Sequence, residues 1–312
     1  LLGISMGGLV AALLGEQYPD RFDGALCGCA PVGSFQDQIN WFGDFRVVFD
    51  FFFPWLLPGS PTQIPRAVQD LCPLYYSFVI RPALADPLNA EKLRQFQAIT
   101  QAPVDPANAE ESWDRTLQIL LWYNVFSTND AAGKLGGQPY DNSARQYGGI
   151  PNAFWFNGLV RRYSADPPAA AAIAAAYETS GDTQIPMILL HTTLDPVVPY
   201  GQVAQYEEKA AAQGKAQLVT HIATAGYGHC LFGLPEVVTG LALAVKQAEG
   251  EQAGQHVVTT ALEAGAWGAA DREAFRDLAE TWGFVVPNAP VPNTWLDWLI
   301  ALLERLLQSL AG

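Results

Sequence analysis

Residues 1–8 are Leu1-Leu2-Gly3-Ile4-Ser5-Met6-Gly7-Gly8, an apolar run that leads directly into a serine framed by glycines. The apolar start predicts the end of a buried strand, and the run rich in alanine and leucine from Met6 to Gln17 predicts a helix that ends before Pro19. A serine on such a strand-to-helix turn has strained backbone geometry, so only small residues fit two positions before it and two after it. The pattern predicts an exposed, reactive Ser5, with the N–H of Met6 directed at a developing oxyanion.

A serine hydroxyl is a weak nucleophile unless a nearby base takes its proton and an acidic group orients that base. Asp195 lies four residues past a predicted buried strand at 185–191, and His229 lies just past a predicted strand at 216–223. Both side chains therefore belong to loops at the carboxyl ends of neighbouring parallel strands, where sites collect in open α/β sheets. Each residue alone has a simpler explanation, since an Asp-Pro pair shapes turns and a loop histidine often faces solvent.

Strand–helix alternation marks two separate stretches of the chain. It covers residues 1–33, with a predicted strand at 23–30, and returns at 181–250, with a predicted helix from about 201 to 213. Such alternation predicts a mostly parallel sheet that is buried on both faces. We therefore expect an α/β core built from these two stretches and interrupted by residues 34–180.

The interrupting residues are dense in tryptophan, phenylalanine and proline and show no strand–helix alternation. Helical patterns at 90–101, 109–124 and 167–178 predict that residues 34–180 form a large, mostly helical cap inserted into the core.

Aromatic side chains of the cap are candidates for substrate binding. A proline interrupts the aromatic run at 51–55, and such a run is awkward to bury fully in a small cap. We expect Phe52, Phe53 and Trp55 to form a pocket wall, with Tyr227 as a further substrate-binding candidate. The alternative is that the aromatic residues of the cap form the core of the cap itself.

A C-terminal helical extension is predicted at 251–312. Within it, the segment from Trp295 to Leu310 carries a polar stripe on one face and leucines on the other, with Thr294 as its N-cap. The segment is shorter than the ~20 apolar residues that cross a bilayer, so no transmembrane span is predicted. Packing onto the domain and an interfacial or dimer helix remain as alternatives.

The composition excludes several classes of protein. Half of the 312 residues are hydrophobic and 15% are charged, which suits a chain with a sizeable core rather than a disordered one. Lys and Arg total 17 against 31 Asp and Glu, a net charge of -14. A surface this acidic repels phosphate groups, so neither nucleic-acid binding nor docking on anionic membranes is expected.

The four cysteines, Cys27, Cys29, Cys72 and Cys230, have no CxxC spacing and no nearby histidine pair, which argues against a zinc site. One or two disulfides would suit an exported protein, and buried free thiols are an equal alternative. Acidity and cysteine content favour a secreted or periplasmic protein over a cytoplasmic one. Because the chain opens in the middle of a strand motif, we also expect an N-terminal truncation that removed any compartment signal.

The residues described above resemble the α/β-hydrolase superfamily of serine hydrolases, in its esterase and prolyl-oligopeptidase-like branches. The resemblance rests on the turn at 3–8, on Tyr18-Pro19-Asp20-Arg21-Phe22 and on the loop Asp195-Pro196-Val197-Val198-Pro199. It covers about 1–33 and 181–245, and it implies an α/β-hydrolase fold.

The resemblance implies a role for each candidate. Ser5 is the nucleophile, His229 the general base and then acid, Asp195 the residue that orients His229, and the N–H of Met6 one oxyanion donor. No metal or organic cofactor is implied. The expected reaction is two-step acyl transfer on a small molecule, with carboxylic ester hydrolysis favoured because an apolar cap suits a compact acyl or aryl group. The alternatives are a serine peptidase acting on short peptides and a non-catalytic binding module that keeps the fold.

Two features depart from the patterns of relatives. His191-Thr192-Thr193 stands where many relatives have His-Gly before the acid loop. Cys230 directly follows His229, as in tannase and feruloyl-esterase relatives, where this cysteine bridges to one just before the serine. Ile4 occupies that position here, so that bridge cannot form.

Overall fold

Four parallel strands form one sheet, in the spatial order β1-β2-β3-β4. In the computed structural model, which describes residues 1–264 and 267–286, the strands are β1 (Leu2–Ile4), β2 (Ala25–Gly28), β3 (Met187–Leu194) and β4 (Val219–Tyr227). Each strand pairs in parallel with the next one along the chain. The predicted α/β fold with a mostly parallel sheet is therefore confirmed.

In the described part of the chain the helices are numbered α1 to α12 in order. They are α1 (Met6–Gln17), α2 (Phe35–Phe52), α3 (Arg66–Tyr75), α4 (Arg81–Leu84), α5 (Ala90–Thr100), α6 (Ala109–Leu135), α7 (Ala153–Leu159), α8 (Pro167–Ala176), α9 (Gly201–Ala212), α10 (Leu234–Glu249), α11 (Glu251–Ala264) and α12 (Ala269–Thr281). Of these, α1, α9, α10, α11 and α12 pack against the sheet.

The carboxyl ends of β3 and β4 lie further along the chain than predicted. β3 ends at Leu194 rather than at 191, and β4 ends at Tyr227 rather than at 223. A short 3₁₀ turn at Ala216–Leu218 occupies the start of the predicted last strand. Apolar runs locate a strand better than they locate its ends, because the end depends on pairing with neighbours.

Alternate residues of the sheet pack into two separate cores. On one face, Leu26 and Ile188 share a core with apolar residues of α10, α11 and α12. On the other face, Cys27, Met187 and Leu189 share a core with residues of α1 and α9. Burial on both faces explains why these strands are continuous apolar runs rather than alternating ones.

The described part of the segment after residue 250 packs onto the sheet. Val258 of α11 and Phe275 of α12 are buried in the same core as the strand residues. The predicted amphipathic segment from Trp295 to Leu310 lies outside the described residues. Across residues 1–264 and 267–286, no helix combines the length and the hydropathy that crossing a bilayer demands.

Helices α2 to α8 lie between β2 and β3 in the chain, within the segment predicted to be the cap, and α2 to α7 share a core separate from the two cores of the sheet. Phe45, Phe49, Phe96 and Leu120 are almost fully buried in it. The predicted helices at 90–101, 109–124 and 167–178 correspond to α5, α6 and α8, although α6 continues to Leu135.

The turn between β1 and α1 depends on two glycines. A Cβ at Gly3 would lie 2.0 Å from the carbonyl oxygen of Gly7, and a Cβ at Gly8 would lie 2.6 Å from the Cβ of Ala30. By contrast, a Cβ at Gly7 would meet nothing within 4 Å. Close packing therefore requires glycine two positions before Ser5, as expected. After Ser5, glycine is required at the third position, Gly8, rather than at the second, Gly7.

Substitutions at two glycines of this turn test the packing. We expect Gly3→Ala to lower the free energy of unfolding by about 2 kcal/mol, because overpacking a close contact costs roughly 1–3 kcal/mol. Gly7→Ala should leave it unchanged or raise it, since alanine is the better helix former and has space here. Urea denaturation followed by circular dichroism measures both. Equal destabilisation by the two substitutions would contradict the role given to Gly3.

Candidate active site

Ser5 lies on the sharp turn between β1 and α1. Its backbone has φ 55° and ψ −125°, a region that non-glycine residues rarely adopt. Its N–H donates to the carbonyl of Gly28 at 2.7 Å, beyond the last paired residue of β1. This contact holds the strained turn in place, and the Ser5 side chain lies at the carboxyl edge of the sheet, partly exposed.

Three side chains that are distant in the sequence form one hydrogen-bonded chain at this edge. Nε2 of His229 lies 2.9 Å from the hydroxyl oxygen of Ser5, and Nδ1 of His229 lies 2.8 Å from Oδ2 of Asp195. Asp195 directly follows β3, and His229 follows β4 after Gly228. The fold thus brings together the three residues selected from the sequence, in a geometry that allows His229 to take the proton of Ser5.

Asp195 is buried, with 1% of its surface exposed. Its Oδ1 accepts hydrogen bonds from the N–H groups of Val197 and Val198, at 2.8 Å and 3.1 Å. These bonds leave Oδ2 to accept the proton on Nδ1 of His229. Nε2 of the neutral ring is then the acceptor that faces Ser5.

Two opposing effects act on the protonation of His229. Burial disfavours the charged ring, whereas the hydrogen bond and the negative charge of Asp195 favour it. Asp195 outweighs burial, so the pKa of His229 is raised above its ordinary value of 6.5. The charged form that must arise when Ser5 loses its proton is therefore stabilised.

A second histidine, His191, supports the same loop from inside the protein. Its Nε2 lies 3.1 Å from the carbonyl oxygen of Val198 and 3.8 Å from Oδ2 of Asp195. Burial lowers the pKa of His191, although the charge of Asp195 acts in the opposite direction. His191 is therefore neutral and donates to Val198, which fixes the loop that carries the acid.

Helix α2 holds the acid loop from the side of the cap. The side-chain amide of Gln38 donates to the carbonyl of Val197 at 2.9 Å, and the indole N–H of Trp41 donates to the carbonyl of Pro196 at 3.0 Å. Val197 and Val198 are also buried in the core of the cap. The cap and the acid loop are therefore parts of one packed unit.

A cavity of about 300 Å³ opens beside Ser5 and Met6, between the sheet edge and the cap. Its wall is mostly apolar, and the Asp130–Lys134 ion pair, at 2.9 Å, lies at its exposed rim. The residues of α2 and α6 that line it are Phe35, Gln38, Ile39, Phe42, Tyr123, Ser127, Asp130, Ala131, Lys134 and Leu135. A substrate group that reaches Ser5 has this mostly apolar, partly open space next to it.

The aromatic residues expected to line the pocket lie elsewhere. Phe53 is 5% exposed and belongs to the core of the cap, against which Phe52 packs. Trp55 is 86% exposed and borders a different cavity, of about 190 Å³. The hydroxyl of Tyr227 donates to the carbonyl of Ser112 at 2.8 Å, so Tyr227 joins β4 to α6. None of the four lines the cavity beside Ser5: Phe52, Phe53 and Trp55 lie at or beyond the C-terminal end of α2, and the Tyr227 side chain is bonded to α6.

The cavity-lining residues of α2 were not predicted. Phe35, Gln38, Ile39 and Phe42 are spaced at i, i+3, i+4 and i+7, which places them on one face of a helix. Ser34, immediately before them, caps the helix through its hydroxyl. Both signals were present in the sequence, but the phenylalanine, tryptophan and valine content of the segment lowers its helix propensity.

Cysteine side chains also converge near the hydrogen-bonded chain. Among the described residues, the potential ligand atoms of Cys29, His229 and Cys230 lie within 4.8 Å of one another, as do those of Cys29, His191 and Asp195. A metal ion bound by the first group would engage His229, and one bound by the second would engage Asp195, so either ion would compete with the hydrogen-bonded chain. Sequence spacing, which argued against zinc, does not detect clusters that the fold assembles from distant residues.

The sequence matches the model of one protein family, described as alpha/beta hydrolase fold, over residues 1–234. No match is found among curated proteins. Similar solved structures include feruloyl esterase B from Aspergillus oryzae, with 17% identity and a TM-score of 0.33 over 73% of this chain and 52% of that one. A proline iminopeptidase from Mycobacterium smegmatis has 16% identity and a TM-score of 0.27 over 73% of this chain and 57% of that one.

A further esterase from Aspergillus oryzae has 16% identity and a TM-score of 0.33 over 73% of this chain and 51% of that one. The chain thus spans little more than half the length of these solved proteins. The family match begins before the strained turn at Ser5 and extends beyond His229. The chain belongs to the α/β hydrolase fold family.

Proposed function

We propose that the protein is a serine hydrolase that cleaves carboxylic esters through an acyl-enzyme. The main support is the hydrogen-bonded chain from Asp195 through His229 to Ser5, with donor–acceptor distances of 2.8 Å and 2.9 Å. Acyl transfer requires a nucleophile, a base that takes its proton and a group that orients the base, and these three residues have the chemistry for those roles.

In the first half-reaction, Oγ of Ser5 attacks the ester carbonyl carbon while Nε2 of His229 takes the hydroxyl proton. The developing oxyanion faces the N–H of Met6, the first residue of α1, because the first N–H groups of a helix have no partner within the helix. His229 then returns the proton to the departing alkoxide. In the second half-reaction, His229 deprotonates a water molecule that attacks the acyl group on Ser5 and releases the acid.

The cavity beside Ser5 supports an apolar acyl or aryl group as the favoured substrate part. Its lining is dominated by the aromatic and aliphatic residues of α2 and α6, and burial of such groups is favourable by about 25 cal/mol per Å². A short peptide would also have to bring its polar backbone into this space, where unpaired polar groups are costly. Ester hydrolysis is therefore proposed ahead of peptide hydrolysis.

Substitution of the nucleophile tests the mechanism directly. We expect Ser5→Ala to lower kcat on p-nitrophenyl esters by on the order of 10⁵-fold, because the attacking oxygen is lost. A fluorophosphonate probe should label the unmodified protein and fail to label this variant. Ser77→Ala, which removes an exposed serine of the cap, is the matched control and should label normally. If Ser5 is never labelled, the fold serves binding rather than catalysis.

The pH dependence of kcat/KM tests His229 as the base. Activity should fall on the acid side with a midpoint above 6.5, because the base must be neutral and its pKa is raised. Asp195→Asn should lower kcat by on the order of 10⁴-fold and move this midpoint to lower pH, since burial still lowers the pKa of His229 while the carboxylate that raises it is lost. Asp20→Asn, at an exposed carboxylate, is the control and should leave the midpoint in place. An unmoved midpoint in Asp195→Asn would argue against the assigned pair.

A substrate panel tests the ester preference and the acyl pocket together. We expect p-nitrophenyl esters to be cleaved in preference to aminoacyl and prolyl anilides. Ala131→Phe, which fills the cavity from α6, should reduce activity on longer acyl chains about tenfold relative to acetate. Ala132→Phe, one residue along α6 and outside the lining, is the control and should keep the wild-type ratio. A preference for anilides would identify the protein as a peptidase instead.

A further inference from the structure

Two cysteines lie together beside the proposed catalytic histidine. Cys29 directly follows β2 at the carboxyl edge of the sheet, and Cys230 directly follows His229. The sulfur atoms of both cysteines and a ring nitrogen of His229 lie within 4.8 Å of one another. The two residues are distant along the chain, so the fold alone brings their thiols within 4.8 Å of each other.

We propose that Cys29 and Cys230 form a disulfide bond that ties the loop carrying His229 to the end of β2. The inference concerns a covalent bond and does not depend on the reaction proposed above. The other two cysteines pack elsewhere. Cys27 lies in the sheet core, 3.6 Å from the sulfur of Met187, and Cys72 lies in the core of the cap.

Backbone strain marks the same place. Among the described residues, the non-glycine residues with positive φ are Ser5, Cys29, Trp55, Gln101 and Cys230. Three of these five surround His229, and the two cysteines have φ values of 44° and 55°. Such conformations persist only where the surrounding structure imposes them, and they concentrate at functional sites. Here they hold two thiols toward each other from separate loops.

The exposure of the two thiols suits a stepwise oxidation. Cys230 is partly exposed, whereas Cys29 is fully buried, so an oxidised low-molecular-weight thiol meets Cys230 first. The pKa of Cys230 is raised by its hydrogen bond to Cys29 and by burial, so Nε2 of His229, 3.5 Å away, takes the thiol proton as the Cys230 sulfur attacks one sulfur of that disulfide. The proton then passes to the departing sulfur, and one small thiol is released. The Cys29 thiolate then attacks the Cys230 sulfur of the mixed disulfide and releases the second small thiol. The protein gives up two protons and two electrons, and the reagent disulfide takes them up as two thiols.

The surroundings of Cys29 favour the second step. A hydrogen bond from the Cys230 thiol has the largest effect on the pKa of Cys29 and lowers it. Burial raises this pKa, but hydrogen bonds with Thr192 lower it further, so the net shift is downward. The hydroxyl of Thr192 lies 3.7 Å from the Cys29 sulfur, and this contact does not involve Cys230. A buried thiolate beside the mixed disulfide is the group that closes the bond.

Bond formation also changes what His229 contacts. The Cys230 sulfur lies 3.5 Å from Nε2 of His229, the atom that faces Ser5. In the dithiol form, the one thiol proton of Cys230 is shared between the Cys29 sulfur and Nε2 of His229, so for part of the time it competes with the Ser5 hydroxyl for that nitrogen. A disulfide carries no such proton, so Nε2 is left to Ser5, and the tether restricts the loop after β4.

The test uses the full chain carrying Ser5→Ala, treated with oxidised glutathione in the presence of EDTA, so that neither catalysis nor a metal contributes. Alkylation under denaturing conditions and peptide mapping should find one peptide pair joined through Cys29 and Cys230, with Cys27 and Cys72 alkylated. The thermal midpoint of the oxidised form should exceed that of the reduced form by about 5 °C, because the bond closes a very long loop.

Single substitutions separate this pair from the other thiols. Cys29→Ser and Cys230→Ser should each abolish the joined peptide and the redox dependence of the midpoint, while Cys27→Ala should keep both. If Cys29→Ser does not fold, Cys230→Ser provides the same test, because Cys230 is partly exposed.

Three results would overturn the inference. The first is four alkylatable cysteines after complete exposure to the oxidant. The second is a joined peptide that contains Cys27 or Cys72. The third is stoichiometric Zn²⁺ bound by the untreated protein through Cys29 and Cys230, since this would make the cluster a metal site. Because mapping is done on an inactive variant, failure of the proposed ester hydrolysis leaves the outcome unaffected.

Discussion

Parallel hydrogen bonding of the four strands determines where the reactive groups lie. Parallel pairing aligns the carboxyl ends of neighbouring strands, with Ile4 opposite Gly28 in one pair and Leu194 opposite Tyr227 in another. Ser5, Asp195 and His229 each follow a strand end by one or two residues. Their meeting is thus a property of the backbone ladder, and the side-chain hydrogen bonds refine a proximity that the sheet already provides.

The same interactions that shape the acid loop also prepare its chemistry. A buried carboxylate is costly unless its oxygens are satisfied, and those of Asp195 accept two backbone N–H groups and one imidazole N–H. The backbone of the loop after β3 is therefore arranged around the carboxylate of Asp195. At His229 the hydrogen bond and the charge of Asp195 outweigh burial, so the pKa of the base is raised while Ser5 stays close to Nε2.

The α/β core could be predicted because the sequence signals of its strands and turns are local. The cap could be predicted only in part. Glycine spacing around Ser5, proline after α1 and apolar runs at β2 and β3 each report a neighbourhood of a few residues. The order Ser5, Asp195, His229 then sufficed to select the three side chains. The pocket wall was misplaced because the direction in which α2 points its aromatic residues depends on tertiary packing. Phe42 and Phe53 are both buried in the cap core, but only Phe42 also lines the cavity beside Ser5.

Val197 and Val198 have three neighbours at once. Their N–H groups hold Asp195, their side chains are buried with the cap, and both line the space beside Ser5. A molecule that fills that space contacts the two residues that orient the Asp195 carboxylate. Ligand binding in the cavity and the orientation of the Asp195 carboxylate are therefore mechanically coupled. A ligand that fits poorly would shift the carboxylate as well as itself.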